Sequence, residues 1–280
     1  MSTKTLITGV TSGIGIHTAA ELVKAGHEVT GLVRDTDKAK KLQKEGELPE
    51  GMDFIECDLA DLKSVRKCAD QIREKFDQID VLINNAGGIF TNQDETADGL
   101  EMTFAVNHLG HFALTLSIMD KLIAGGARII NVSSEAHKSG NLDFEQLAKP
   151  EKYSSWKIYG DGKLCNIYFT KELVRRYGEK GITSYSLHPG VVRTNFFNPI
   201  KGFLGFLVKL FGFLMISPAS GARTSIYLAT EEGLEEHNGG YFKKSKPAKT
   251  SKIAQNGEAA KRLWEYSEEI LEEKGYKIGL

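Results

Sequence analysis

Tyr159 and Lys163 stand four residues apart, a spacing that puts both side chains on one face of a helix. A free phenol has a pKa of about 10 and exchanges its proton poorly near neutrality, whereas a neighbouring ammonium stabilises the phenolate. The pair suits general acid/base chemistry at an oxygen. Tyr159 would protonate the oxygen of a carbonyl as it is reduced and take that proton back when the alcohol is oxidised, with Lys163 tuning and positioning it. Ser133 and Ser134 follow an apolar β-rich run, and a hydroxyl at the carboxyl end of a parallel strand faces the crevice where ligands bind. Taken singly, a tyrosine more often packs in a core and a strand-end serine more often caps a turn. The combination points to catalysis.

These residues need a scaffold, and the chain alternates short β-rich runs with longer stretches of helical period. Strands are expected at 5–8, 28–33, 53–56, 81–84, 128–132, 183–187 and 240–242, with helices between most of them. The pattern predicts an α/β fold, a doubly wound Rossmann-type parallel sheet of about seven strands with helices on both faces. No repeat, low-complexity segment or linker interrupts it, so residues 1–280 read as one domain.

Between the first strand and a helix beginning near Ile14 lies Thr8-Gly9-Val10-Thr11-Ser12-Gly13-Ile14-Gly15. Glycines let such a turn bend sharply and approach a pyrophosphate, while the N–H groups and positive end of the helix attract its charge. In this context the turn, with Gly9, Thr11, Ser12, Gly13, Ile14 and Gly15, is expected to bind a dinucleotide. The second strand ends at Arg34-Asp35. A guanidinium there favours a 2′-phosphate and hence NADP(H), and the adjacent carboxylate keeps NAD(H) open. After the third strand, Asp58 with Leu59 offers a carboxylate to an adenine amino group or a cap to the next helix.

The ordered set resembles the short-chain dehydrogenases/reductases over nearly the whole chain. Thr8 to Gly15 match the family's T-G-x-x-x-G-x-G, Asn84-Asn85-Ala86-Gly87 its N-N-A-G, Tyr159 to Lys163 its Y-x-x-x-K, and Pro189-Gly190 with Thr194 its P-G…T. The stretches 96–99 and 106–112, Ser217-Pro218 with Gly221, and Leu263-Trp264-Glu265 look like the retinol dehydrogenase branch. The resemblance implies that Ser134, rather than Ser133, orients the substrate oxygen, and that Lys163 also holds the nicotinamide ribose. It further implies that Asn107 supports a water-linked proton path, and that Asn85, Ala86, Gly87, Pro189, Gly190, Val192 and Thr194 line the cofactor. Gly160 and Gly162 depart from the pattern. Each costs a helix about 1 kcal/mol relative to alanine, so a looser catalytic helix, ordered by the cofactor, is expected.

Composition excludes other classes. A hydrophobic content of 41% with 26% charged residues suits a packed core, and a net charge of −1 without a basic stretch argues against nucleic acid. Three cysteines without a C-x-x-C pair suggest reduced thiols, and no secretory signal is read at the start, so the cytoplasm is expected. The Phe- and Leu-rich stretch 195–216 is too interrupted for a transmembrane span and is expected to be a lid over a small lipophilic carbonyl or alcohol substrate. A peripheral membrane contact or a homo-oligomer interface remain its alternatives. His108 and His111 lack a third ligand at suitable spacing, so no metal is expected. Lysines from 243 to 252 read as a solvated connection, and 257–274 as a helix whose face of Ala260, Leu263, Trp264, Ser267, Ile270 and Leu271 closes the core or a dimer. The expected activity is an NADP(H)-dependent alcohol/carbonyl oxidoreductase, with a non-catalytic NADP(H)-binding regulator and a reductase of activated C=C bonds as alternatives.

Overall fold

Leu6, Ile7, Leu32, Val33, Leu82 and Ile83 are all buried, as strand residues must be when helices cover both faces of a parallel sheet. In the computed structural model, which describes residues 2–191 and 216–278, they lie in β1 (Lys4–Thr8), β2 (Glu28–Val33) and β4 (Val81–Asn84). The sheet is completed by β3 (Asp53–Glu56), β5 (Arg128–Val132), β6 (Thr183–His188), β7 (Tyr241–Lys243) and β8 (Lys246–Pro247). Its order is β3-β2-β1-β4-β5-β6-β7-β8, parallel throughout except for β8 against β7. Strand order reverses between β1 and β4, and at such a switch point the connections leave in opposite directions and open a crevice at the carboxyl ends.

The eighth strand went unread because two residues, one a proline, show no period. Lys244 and Ser245, both with positive φ (52° and 57°), make the reversal, so the lysine-rich connection contains a hairpin. Lys243 is also less solvated than expected, pairing with Glu135 at 3.3 Å.

One face of the sheet carries α1 (Gly13–Lys24), α2 (Thr36–Lys44) and α8 (Pro218–Thr230), packed through Ala19, Leu22, Ala39 and Leu228. The other carries α3 (Leu62–Lys75), α5 (Gly110–Ser117), α6 (Met119–Ala124), α7 (Ser155–Tyr177) and α9 (Gly257–Glu273). A short α4 (Met102–Phe104) runs into α5 through a π turn (Ala105–Leu109). The buried face of α9 is the one its period predicts, and it closes the core: Trp264 meets Phe112 edge-on at 4.8 Å between centroids.

Val192, Thr194 and the expected lid up to residue 215 lie outside the described residues. Among those described, no helix is long and apolar enough to cross a membrane.

Candidate active site

Every strand end that could hold a dinucleotide opens on the same side of the sheet. After β1 the chain turns at Gly9 (φ +73°) and Gly13 (φ +57°), values that a side chain disfavours. Gly15 is fixed by proximity, since a Cβ there would lie 2.1 Å from the Gly9 carbonyl oxygen. Thr11 and exposed Ser12 complete the turn, and Ile14 lies in the first turn of α1. Ser12 is extended, its side chain does not cap the helix, and no acidic residue sits in that first turn. The N–H groups at the head of α1 therefore keep their positive end open to an anion. The residues present fit a dinucleotide pyrophosphate.

Asn85 ties this turn to β4. Its side-chain amide donates to the carbonyls of Thr8 (2.8 Å) and Gly9 (3.3 Å), while the backbone N–H groups of Asn85 and Ala86 each donate to the Thr8 hydroxyl at 2.9 Å. Gly87 is exposed, and a Cβ on it would stand 2.4 Å from Asn107 Oδ1 and 3.3 Å from Lys163 Nζ. Asn107 and Lys163 thus converge on one bare backbone position.

Tyr159 and Lys163 lie on α7, and Ser134 follows β5 at the head of a 3₁₀ turn (Glu135–Ser139). The Tyr159 phenol faces the Ser134 side chain, whose hydroxyl oxygen accepts from the Ala136 N–H at 3.2 Å. Ser133 is spent on the fold, its hydroxyl donating to the Lys163 carbonyl at 2.6 Å. Lys163 Nζ donates to the Val132 carbonyl at 2.9 Å and lies 5.6 Å from the centre of the Tyr159 ring. Electrostatics here differ from the expectation that Lys163 lowers the phenol. Burial dominates and pushes Tyr159 up to about 12, with the Ser134 hydrogen bond opposing it, and burial brings Lys163 down to about 8.

Asn107 sits in the π turn with its side chain clamped on Gly88, accepting from the Gly88 N–H at 2.9 Å and donating to its carbonyl at 3.0 Å. One helical turn on, His111 Nε2 lies 2.9 Å from the Thr8 hydroxyl and Nδ1 lies 3.4 Å from the Asn107 carbonyl. Thr8, Gly88 and His111 were not singled out from sequence as parts of the site. The four-residue spacing of Asn107 and His111 was the available signal.

At the remaining strand ends, Arg34 is exposed after β2, and Asp35 caps α2 by accepting from the Lys38 N–H at 2.9 Å. Asp58 accepts from Ala60 N–H at 3.0 Å, and the cap of α3 is Asp61, not Asp58. The buried Leu59 packs its carbonyl where a Cβ on Gly110 would come within 2.5 Å. Pro189 and Gly190 (φ +102°) follow β6 at the same rim. His108 is held by Ser267 at 2.9 Å, and among the described residues no three His, Cys, Asp or Glu side chains gather as metal ligands.

Comparison with known proteins agrees with this arrangement. Residues 3–202 match the short chain dehydrogenase family. This chain belongs to that family. This short-chain dehydrogenase is 39% identical to human retinol dehydrogenase 11 over 270 residues, spanning 95% of this chain and 85% of the relative. It is 40% identical to human retinol dehydrogenase 13 over 277 residues, at 95% and 83% coverage. A solved structure of an uncharacterised protein from Mycobacterium paratuberculosis superimposes with a TM-score of 0.80 at 32% identity, over 99% of this chain and 95% of that one. The chain is thus an oxidoreductase of the dehydrogenase/reductase type by kinship.

Proposed function

We propose that this protein interconverts an alcohol and an aldehyde or ketone on a lipophilic substrate, with NADP(H) preferred over NAD(H). The observation that carries the reading is the convergence of Lys163 on Tyr159, its ammonium 5.6 Å from the ring centre, and on the bare Gly87 position, with the Ser134 side chain facing the phenol. When bound, the nicotinamide supplies or takes up the hydride. Tyr159 gives its proton to the carbonyl oxygen as negative charge develops there, and Ser134 holds that oxygen. A phenol held near 12 is fully protonated at neutral pH, the form that reduction needs. Lys163, close to 8, remains largely an ammonium at pH 7 and offsets the phenolate as it forms. Gly9, Thr11, Ser12, Gly13, Ile14 and Gly15 would hold the pyrophosphate, with Asn85, Ala86, Gly87, Pro189 and Gly190 along the nicotinamide half.

Cofactor preference rests on β2. Asp35 is engaged as a helix cap, which leaves Arg34 as the exposed cation for a 2′-phosphate. The cytoplasm is the proposed location, on the ground that the three cysteines are unpaired.

The test is loss of reduced-cofactor absorbance with NADPH and NADH against aliphatic, aromatic and retinoid carbonyls, in the wild type and in Tyr159→Phe and Arg34→Ala. Turnover that prefers NADPH, vanishes in Tyr159→Phe, and loses roughly tenfold of its NADPH preference in Arg34→Ala supports the reading. Tight NADPH binding with no turnover on any substrate overturns it in favour of a cofactor-binding regulator.

A further inference from the structure

Trp156 is 47% exposed in a chain whose other tryptophan, Trp264, is 2% exposed. It lies in the first turn of α7, three residues before Tyr159, so the two side chains share a face. Their ring centroids are 6.1 Å apart with the planes at 43°. Tyr159 in turn packs in a small apolar cluster with Ile89 and Ala136, apart from the two main cores. An apolar surface therefore runs from the reacting hydroxyl to a half-open indole.

We propose that Trp156 is a specificity-determining residue that receives a flat apolar group, of which an aryl ring is the simplest, on the carbon that reacts at Tyr159. The inference rests on the carbonyl reading above and names its substrate class. A carbonyl oxygen within hydrogen-bond reach of the Tyr159 hydroxyl carries the substituents of its carbon to within a ring's width of that hydroxyl. The indole stands one ring away along the same helix face. An indole offers an aromatic partner offset or edge-on pairing that a saturated ring of the same size does not reproduce, so it selects by shape and by π character together. A small aliphatic substituent is too short to reach it.

The experiment compares kcat/KM for benzaldehyde, cyclohexanecarbaldehyde and propanal, with NADPH, in the wild type, Trp156→Ala and Trp156→Phe. The benzaldehyde-to-propanal ratio is expected to fall roughly tenfold in Trp156→Ala, chiefly through KM, with most of it restored in Trp156→Phe. Acrylamide quenching of tryptophan emission, with NADP⁺ present, supplies a readout free of turnover. Benzamide, which has the shape of the substrate and is not reduced, should protect the wild type from quenching and leave Trp156→Phe, whose one tryptophan is buried, unaffected. Protection in a protein that reduces no carbonyl would sink the proposed reaction and keep the aryl site. Turnover with an unchanged ratio in Trp156→Ala and no protection by benzamide would overturn the inference and keep the reaction.

Discussion

The Thr8 hydroxyl meets four neighbours at once. It accepts the N–H groups of Asn85 and Ala86, lies 2.9 Å from His111 Nε2, and reaches the Ile83 carbonyl at 3.4 Å. Burial keeps His111 neutral, with a pKa lowered to about 3, and its Nδ1 faces the Asn107 carbonyl. One threonine thus joins the glycine turn, the end of β4 and the π turn that carries Asn107. Thr8→Val keeps the shape and strands the Ala86 N–H and His111 Nε2, while the Asn85 N–H keeps the Ile83 carbonyl at 3.0 Å. It should cost about 3 kcal/mol in urea unfolding, with Thr8→Ser recovering most of that. A Thr8→Val midpoint equal to wild type would show that water replaces the hydroxyl. In sequence Thr8 is legible only as the first letter of a glycine motif. Its partners lie 75, 77, 78 and 103 residues away, and no local period reports them.

At the scale of elements, α7 carries Tyr159 and Lys163 on a continuous helix of 23 residues, and its two glycines prove to differ. A Cβ on Gly160 would stand 2.5 Å from Ser139 Oγ and 2.9 Å from the Ala136 carbonyl oxygen. Gly160 is therefore what lets the 3₁₀ turn headed by Ser134 approach Tyr159. Gly160→Ala should destabilise by roughly 1–3 kcal/mol and, by prising Ser134 from Tyr159, lower kcat more than it raises KM. A Cβ on Gly162 meets only ordinary contacts, 3.5 Å from Asn107 Cβ and Nδ2. Gly162→Ala should thus stabilise by about 0.5–1 kcal/mol and raise Tm by roughly 2 °C in a thermal melt. If both variants moved Tm in the same direction, the distinction between them would be lost. From sequence the two positions are equivalent departures from a helix-forming pattern. What separates them is tertiary approach, which propensity does not contain.

Over the whole molecule, the alternation of apolar runs and helical periods was enough to place seven parallel strands, because strands buried on both faces must be apolar along their length. The same burial traps histidines. His108 and His111 are each 1% exposed and held at about 3, and His188, after accepting the Glu135 N–H, at about 4, in every case because burial disfavours the imidazolium. An unfolded histidine titrates near 6.5, so between that pH and about 4 the unfolded chain binds protons that the folded chain does not. Stability is then full above pH 6.5 and is lost as pH falls toward the folded values. Three such groups give about 4 kcal/mol per pH unit near pH 5. Glu101 and Asp161, whose carboxyls burial raises, act in the opposite sense and reduce that slope, whereas His27 and His137, which burial also lowers, add to it. Urea unfolding should accordingly show an uptake of about two to three protons at pH 5, falling below about one at pH 7. His108→Gln keeps a donor for Ser267 and removes one titrating group, and should lower that uptake by about one at pH 5. An uptake unchanged by the substitution would mean that His108 is already protonated in the folded chain. Burial among Phe104, Phe112 and Phe169 opposes that outcome, because it takes the imidazolium out of water.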